Sequence, residues 1–598
     1  MLAGVALAAS SAVAAEAISP NATGDGESRQ LVVRVPDLSL RAGATVDLKL
    51  VVENHADEAL TGKLYWRVES PDGKVATQGH RQPWRLEAHD TLSLSIALKA
   101  PMPGKYTVVC TAKGRTTQTD RAAFAVANAR GPSSLNPLLR LRLLEGIDCA
   151  GEQSPGFYRD DGQAKVVPSP LGAYREAGET LGSRFAYRFE VDRLRIPHLL
   201  VVQYPDDRAR RMVVSIDSPS YPVPGDVASG MACGGPFPVT NRVYEHRLLF
   251  WPREAEGRVM IVTAGPGMPA AALSVKVYEV EGGLPGLQVN EPSGQPSRRL
   301  GLEWARSSIL PSFGGRVLDD PAEVQIAVAN LVDYLRWTGQ NVVSFPVGPE
   351  DEGWMSVARR MFDAEGVAFV PARRGADAAP LAPGTVVLQA EVFTVATQET
   401  SADLWWPDLF SWSAPIMPAH KHFAGFYAVA MADRDPEAIF LAGAANPALG
   451  HDYELQRFAQ AYRALPAREF TATADATDPV VVRYSATADG FYGYLVNKDR
   501  YPVGVEVTWE GPVEVTDPAT RLRLPTAGRS MTLSLSPYEL RAFAAGSTAR
   551  IESVKVILPK EVSDALPARP ATLAPPPANA TPTEGDANGP NAGELPPP

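Results

Sequence analysis

The chain of 598 residues and 64.0 kDa is too long for one hydrophobic core, so several domains are expected. A hydrophobic fraction of 45% with 21% charged residues is that of ordinary folded protein and confines disorder to particular segments. Its 57 basic residues against 68 acidic ones, a net charge of -11, offer no footprint for a phosphate backbone, so no nucleic acid is expected as a partner.

The N-terminal run MLAGVALAASSAVAAEA is small and apolar, and Ala12-Val13-Ala14 or Val13-Ala14-Ala15 suits a signal peptidase. Residues 1–15 therefore read as a signal peptide, and the protein as secreted, periplasmic or held at the cell surface. No Lys or Arg precedes the run, which leaves open a start inside a longer signal, or a short uncleaved anchor. No other apolar run approaches the roughly 20 residues that cross a bilayer as a helix, so no membrane span is expected in the mature chain.

From 28 to 128 the stretches LVVRV, VDLKLVV, KLYWRV, LSLSIAL and KYTVVCTA alternate apolar with polar, the pattern of an Ig-like antiparallel β-sandwich. After the linker ARGPSSLNP, residues 138–284 repeat that period in RFAYRFEV, HLLVVQYP, RMVVSID, HRLLFW, RVMIVTA and LSVKVYEV, a second sandwich of jelly-roll type. Cys110, Cys149 and Cys233 are too few for a disulfide framework. Export would permit a Cys149–Cys233 bridge, but sequence leaves that pairing open.

Beyond GGLPGLQVNEPSGQPS the period lengthens toward 3.6. Asp320 can cap a helix with Pro321 at its first position and Glu323 three residues on, and Val324, Val328, Leu331 and Leu335 share one face up to Gly339. LGLEW and NVVSFPV flank it as strands; a helix near Trp354 to Glu365, the strand VAFVPA, the strand TVVLQAEVF (385–393), a helix over 418–432, the strand AIFLAG and a helix ending at Pro466 follow. This strand-helix grammar over 298–467 predicts a (β/α) TIM-barrel-like domain, abbreviated because eight complete units take roughly 250 residues. Alternation returns over 470–548 as a C-terminal β-sandwich, and 565–598 are so rich in Pro, Ala, Asn and Gly that a disordered tail is expected.

In a (β/α) barrel the reactive groups stand at the C-terminal ends of strands. Glu303, Glu350 and Glu391 occupy such ends, with Asp403 in SADLWWPDLF, and Trp304, Trp354, Trp405 and Trp406 lie near them in sequence. Carboxyl pairs handle proton and nucleophile in glycoside chemistry, while indole faces cover the apolar side of a sugar ring. The candidate catalytic residues are therefore Glu391, Glu303 and Glu350. Trp304, Trp354, Trp405, Trp406 and Asp403 are the candidate substrate contacts. The apolar strand before Glu391 would desolvate its carboxyl and raise its pKa.

Each has a plainer reading: a rim glutamate in water, a salt-bridged barrel residue, the solvated start of a helix, or tryptophans packing a loop. Tyr65, Trp66, Trp84 and Trp251 in the two sandwiches more often fill cores than bind sugars. His420 and His422 resemble a metal pair, but two residues apart on a helix they face different ways. Gly265 and Gly267 lack the third glycine of a dinucleotide loop, and no phosphate loop, HExxH helix or GxSxG elbow occurs, so no metal and no cofactor is expected.

The segments RLGLEWARSSILP and NLVDYLRWTGQNVVSFPV, then DPEAIFLAG with YELQRFAQAYRALPAREF, and finally GFYGYLVNKDRYPVGVEVTWEG with VTDPATRLRLP and LSLSPYELRAF, carry a resemblance. Over roughly 299–543 the chain resembles secreted bacterial glycoside hydrolases with a clan-A-like barrel and flanking β-sandwich modules. The resemblance implies an acid/base glutamate after the fourth strand, usually in an Asn-Glu pair, and a nucleophile after the seventh. The one Asn-Glu pair, Asn290-Glu291, precedes the barrel segment, and Glu391 stands in the nucleophile-like place. The expectation is a glycosidase acting on a polysaccharide or oligosaccharide through a carboxylate pair. Two alternatives stay open: a non-catalytic glycan-binding protein with a degenerate barrel, and a surface scaffold or adhesin of stacked β modules.

Overall fold

In the computed structural model the described residues run from 30 to 565, except 36–39, 101, 116, 152–155, 218–226, 305–309, 316–319, 347–351, 373–382, 398–409, 444–445 and 475. The first sandwich packs a three-stranded sheet on a five-stranded one around Leu48, Leu50, Leu64, Val68, Tyr106 and Val108. The second unit faces a four-stranded antiparallel sheet with a larger sheet, and its core merges with that of the α/β segment. Cys149 and Cys233 are both free and buried, so the bridge that export would permit is not formed. Burial pushes both thiols up to about 12.

The α/β segment is built as its sequence signals dictate. Asp320 accepts a hydrogen bond from the Ala322 backbone N–H at 3.0 Å and starts helix α1 (Pro321–Thr338), which Gly339 ends with φ 76°. Helix α1 is apolar on most of its circumference and is buried on nearly all sides. Its outer side meets the first sandwich through Ala125, and through Arg41 and Arg130, both 2.6 Å from Asp333. Helices α2 (Glu352–Ala364), α3 (Ala424–Arg434) and α4 (Asp452–Arg463) complete the layer.

Five parallel strands form the sheet, in the order Ala368–Ala372, Val342–Pro346, Arg299–Trp304, Ala438–Gly443, Thr385–Gln389. Ala438–Gly443, the last strand of the segment in sequence, thus lies beside its first, as the end of a barrel lies beside its beginning. Among the described residues the sheet remains an open arc, and a complete barrel is not formed.

One element departs from expectation. TVVLQAEVF is two strands, broken at Ala390, whose N–H still donates to Ala442 O at 2.9 Å. The chain then leaves the arc. Strand Glu391–Thr397 pairs with Phe410–Pro418, which runs parallel to Val227–Cys233, so this hairpin supplies two of the seven strands of the larger jelly-roll sheet. The C-terminal sandwich is two four-stranded sheets, one of which includes Ile551–Ile557, beyond the expected end at 548. Among the described residues no helix is long and apolar enough to cross a membrane.

Candidate functional site

The strand ends of the arc were the expected site. Reading across the sheet at the level of Glu303, the registered residues are Val370, Ser344, Glu303, Ala442 and Gln389. Glu303 is the sole carboxylate of that row. It is half-buried, and burial raises its pKa, the direction a general acid needs.

Glu391, its intended partner, begins the strand that has left the arc. Its side chain is 61% exposed and ion-paired with Arg211, on the face of the seven-stranded sheet that carries Val213, Phe393 and Ile416. The desolvated carboxyl that the apolar strand led us to expect is therefore absent: the break at Ala390 delivers this glutamate to a water-exposed ion pair.

Trp304 and Trp354, expected as sugar platforms, are core residues. Trp304 is 2% exposed and meets Phe313 edge-on, and Trp354 is 5% exposed and stacked on Phe345. An indole closed on both faces by protein has none to offer a pyranose. Glu350, Asp403, Trp405 and Trp406 lie outside the described residues.

A different assembly stands where the edge of the jelly-roll's four-stranded sheet meets the N-terminal turns of the helix layer. It is a cavity of about 530 Å³, within the range of small-molecule sites. Strand Val243–Phe250 is the edge strand, and Val243, Tyr244, Glu245, His246 and Arg247 all line the cavity, as expected of an edge seen side-on. The register sets Tyr204 opposite Tyr244, so both rings point to one face. The other wall is the turn Ala419–His420 and the start of α4, Gly450 to Glu454.

These groups interlock. The Tyr204 hydroxyl lies 3.0 Å from His420 Nε2, and the His420 ring packs against both Tyr204 and Tyr244 at centroid distances of 5.7 and 3.6 Å. His451 stacks on Phe423, and the His246 and His451 rings are 5.9 Å apart. Gly450 is held at φ 92°, and a Cβ there would come within 2.3 Å of His246 Cε1, so glycine is what allows helix and imidazole to meet. The Tyr334 hydroxyl donates to Asp452 at 2.8 Å.

Burial governs the electrostatics. It pushes His246 and His420 down to about 4 and His451 well below its ordinary value, so all three rings are neutral near pH 7. The same cause pushes Asp452 up to about 7 and raises Glu454. Arg247 is neutralised by Glu245, 2.5 Å away, and its guanidinium lies 5.5 Å from the Tyr453 ring centroid. The cavity thus sets half-buried tyrosine rings and neutral imidazoles beside one Arg–Glu ion pair and two acids whose pKa burial raises. Among the described residues no three potential ligands are grouped to hold a metal.

Within HKH, His420 turns to this cavity while His422 turns to Phe237 and Tyr538, the divergence that two-residue spacing implies. The rest of the cavity escaped sequence reasoning, because its residues come from segments near 204, 244, 420 and 451. The available signal was GHDYEL, a glycine, a histidine and an acid at the head of an amphipathic helix.

No family model matches the chain, and no curated protein matches it. Among solved structures, CBM35 from Cellvibrio japonicus Abf62 is 13% identical over 24% of this chain and 99% of its own, with a TM-score of 0.18. A GH27 β-L-arabinopyranosidase from Geobacillus stearothermophilus, in complex with arabinose, is 12% identical over 38% of this chain and 62% of its own, with a TM-score of 0.19. The Bacteroides uniformis β-glucuronidase is 10% identical over 42% of this chain and 30% of its own, with a TM-score of 0.15. Likeness this shallow decides neither fold nor activity.

Proposed function

We propose that the chain is an exported glycan-recognising protein that binds an oligosaccharide or polysaccharide without hydrolysing it. The observation that carries this reading is the cavity at the sheet edge. The half-buried rings of Tyr244 and Tyr453 beside the polar groups of the lining match the two sides of a sugar, its C–H face and its hydroxyls.

The open arc argues against hydrolysis. Retention needs two carboxyl groups about 5 to 5.5 Å apart, and inversion roughly 6.5 to 9.5 Å, astride one bond. The row across the strand ends holds Glu303 alone, and Glu391 is engaged by Arg211 in the other sheet.

The test pairs a glycan array with an assay of reducing-end release on every glycan bound. Binding without release is expected. Release that disappears in Glu303→Gln would return the chain to the glycosidases. No binding across a broad array, with a protein captured instead, would favour the scaffold or adhesin.

A further inference from the structure

Charge is unevenly shared along the chain. Residues 28–128, the first sandwich, hold more basic than acidic residues, although the whole chain carries -11. On the outer face of its five-stranded sheet lies an open cleft of about 690 Å³ whose lining includes Thr61, Lys63, Gln82, Arg85 and Lys113, and no acidic residue.

Lys63 and Lys113 are direct cross-strand partners, so their side chains leave the same side of the sheet. Glycine presses the two strands together there: a Cβ at Gly62, held at φ 133°, would strike the Lys113 carbonyl, and one at Gly114 the Thr61 carbonyl. Like charges set opposite one another destabilise a sheet. Elsewhere in this sandwich half-buried cations are matched. Arg34, Arg41 and Lys105 each pair with an acid, whereas Lys63, equally half-buried, pairs with none among the described residues. Lys113 is exposed, and its ammonium lies 5.2 Å from the Tyr65 ring centroid. Arg85 is already held by Glu87. A half-buried ammonium set against a second one, with no carboxylate from the chain, calls for an anion from outside.

The surroundings narrow the class of that anion. Tyr65 follows Lys63 by two residues, with buried Leu64 turned inward between them, so tyrosine and lysine share the outer face. The Tyr65 ring is half-buried, and its centroid lies 6.0 Å from that of His80. Lysines beside a tyrosine face match a uronate, which carries a carboxylate and an apolar C–H side on one ring. Thr61 and Gln82 are exposed and offer neutral partners for its hydroxyls. An anionic membrane fits less well, because the lining has no exposed large apolar side chain to insert. A nucleic acid fits less well too, since two free lysines are few for a phosphate ladder and the whole chain is acidic.

We infer that the first sandwich carries a second glycan site, separate from the sheet-edge cavity, in which Lys63 and Lys113 hold the carboxylates of a uronic-acid polysaccharide beside Tyr65. The inference rests on the glycan reading above for the class of polymer alone.

The full chain is titrated with polygalacturonate, with alginate, and with fully methyl-esterified polygalacturonate, which keeps the backbone and loses the charge. Double-stranded DNA and phosphatidylglycerol-containing vesicles are titrated alongside. Expected are binding of a uronate polymer that weakens as salt rises and no binding of the methyl ester. Affinity should fall at least about tenfold when Lys63→Gln and Lys113→Gln are combined, and stay unchanged in Lys49→Gln, an exposed lysine of the opposite sheet. The double variant removes a repulsion, so the melting transition of the first sandwich should hold or rise. Should that variant misfold, protection of Lys63 and Lys113 from amine acetylation by the bound polymer, read by mass spectrometry, decides.

Equal binding of the methyl ester, an unchanged double variant, no binding of either uronate polymer, or tighter binding of DNA or vesicles overturns the uronate site. Any of these leaves the sheet-edge cavity to be judged by its own neutral glycans. Uronate binding that the double variant abolishes supports the site even where the glycan array yields no neutral hit.

Discussion

Replacing Gly450 by alanine tests the contact on which the cavity depends. At φ 92° an L-residue pays about 1 to 2 kcal/mol for the left-handed region alone. The new Cβ would also lie 2.3 Å from His246 Cε1 and 2.9 Å from Nδ1, and this ring cannot retreat, being 3% exposed and tied to Ser229. Overpacking of that kind costs about 1 to 3 kcal/mol, so Gly450→Ala should lose about 2 to 5 kcal/mol in all. The jelly-roll and the α/β layer share one core, and the first sandwich has its own. Calorimetry should therefore show one transition falling by roughly 4 to 20 °C while the transition of the first sandwich stays in place. A loss under about 1 kcal/mol, with glycan affinity intact, would mean that His246 and helix α4 do not meet as described.

Five further outcomes follow. Arg298 is fully buried, 2.8 Å from Asp435 and ringed by Tyr462, Phe470 and Tyr494, so Arg298→Met strands a buried carboxylate and should cost about 3 to 5 kcal/mol by urea unfolding, with Asp435→Asn in addition recovering part of it. Because His246 is held at about 4 when folded, the unfolded chain binds more protons between that pH and 6.5; stability present above 6.5 is lost as pH falls toward 4, by on the order of 3 kcal/mol for a ring this buried. Asp452, raised to about 7, has the opposite sign, so Asp452→Asn should deepen the loss between pH 7 and 4 in a pH-dependent melt. Glu391→Gln, which touches only an exposed ion pair, should change stability by less than about 1 kcal/mol and leave glycan affinity unaltered; a tenfold loss would restore it to the site. Cys110, Cys149 and Cys233 should resist thiol reagents in the native protein, and all three should react after unfolding without reductant; fewer would reveal a bridge.

Much of the fold could be read from local signals. The alternation of LVVRV and VDLKLVV, the Asp320-Pro321 start and the Gly339 stop each act within a few residues, and each structure formed as its chemistry dictates. TVVLQAEVF misled because periodicity reports that residues are extended and not which sheet receives them. Ala390 carries no mark of the change of sheet. Trp304 and Trp354 misled because an indole beside an acid in sequence says nothing of which way either points. The cavity was illegible for the complementary reason: Tyr204, Tyr244, His420 and His451 meet only when a sheet edge docks on helix termini, a contact of long sequence separation that no window contains.

The parallel stitch between Val227–Cys233 and Phe410–Pro418 also bears on modularity. The sequence alone predicts that a cut in the proline-rich stretch between 284 and 298 separates two independent cassettes. That cut would instead tear a sheet in two, leaving the N-terminal piece with a naked edge along Val227–Cys233 and the C-terminal piece with an orphaned hairpin. Such edges recruit other chains. The jelly-roll and the arc therefore form one structural unit, and domain-swap engineering on this scaffold should not cut between them.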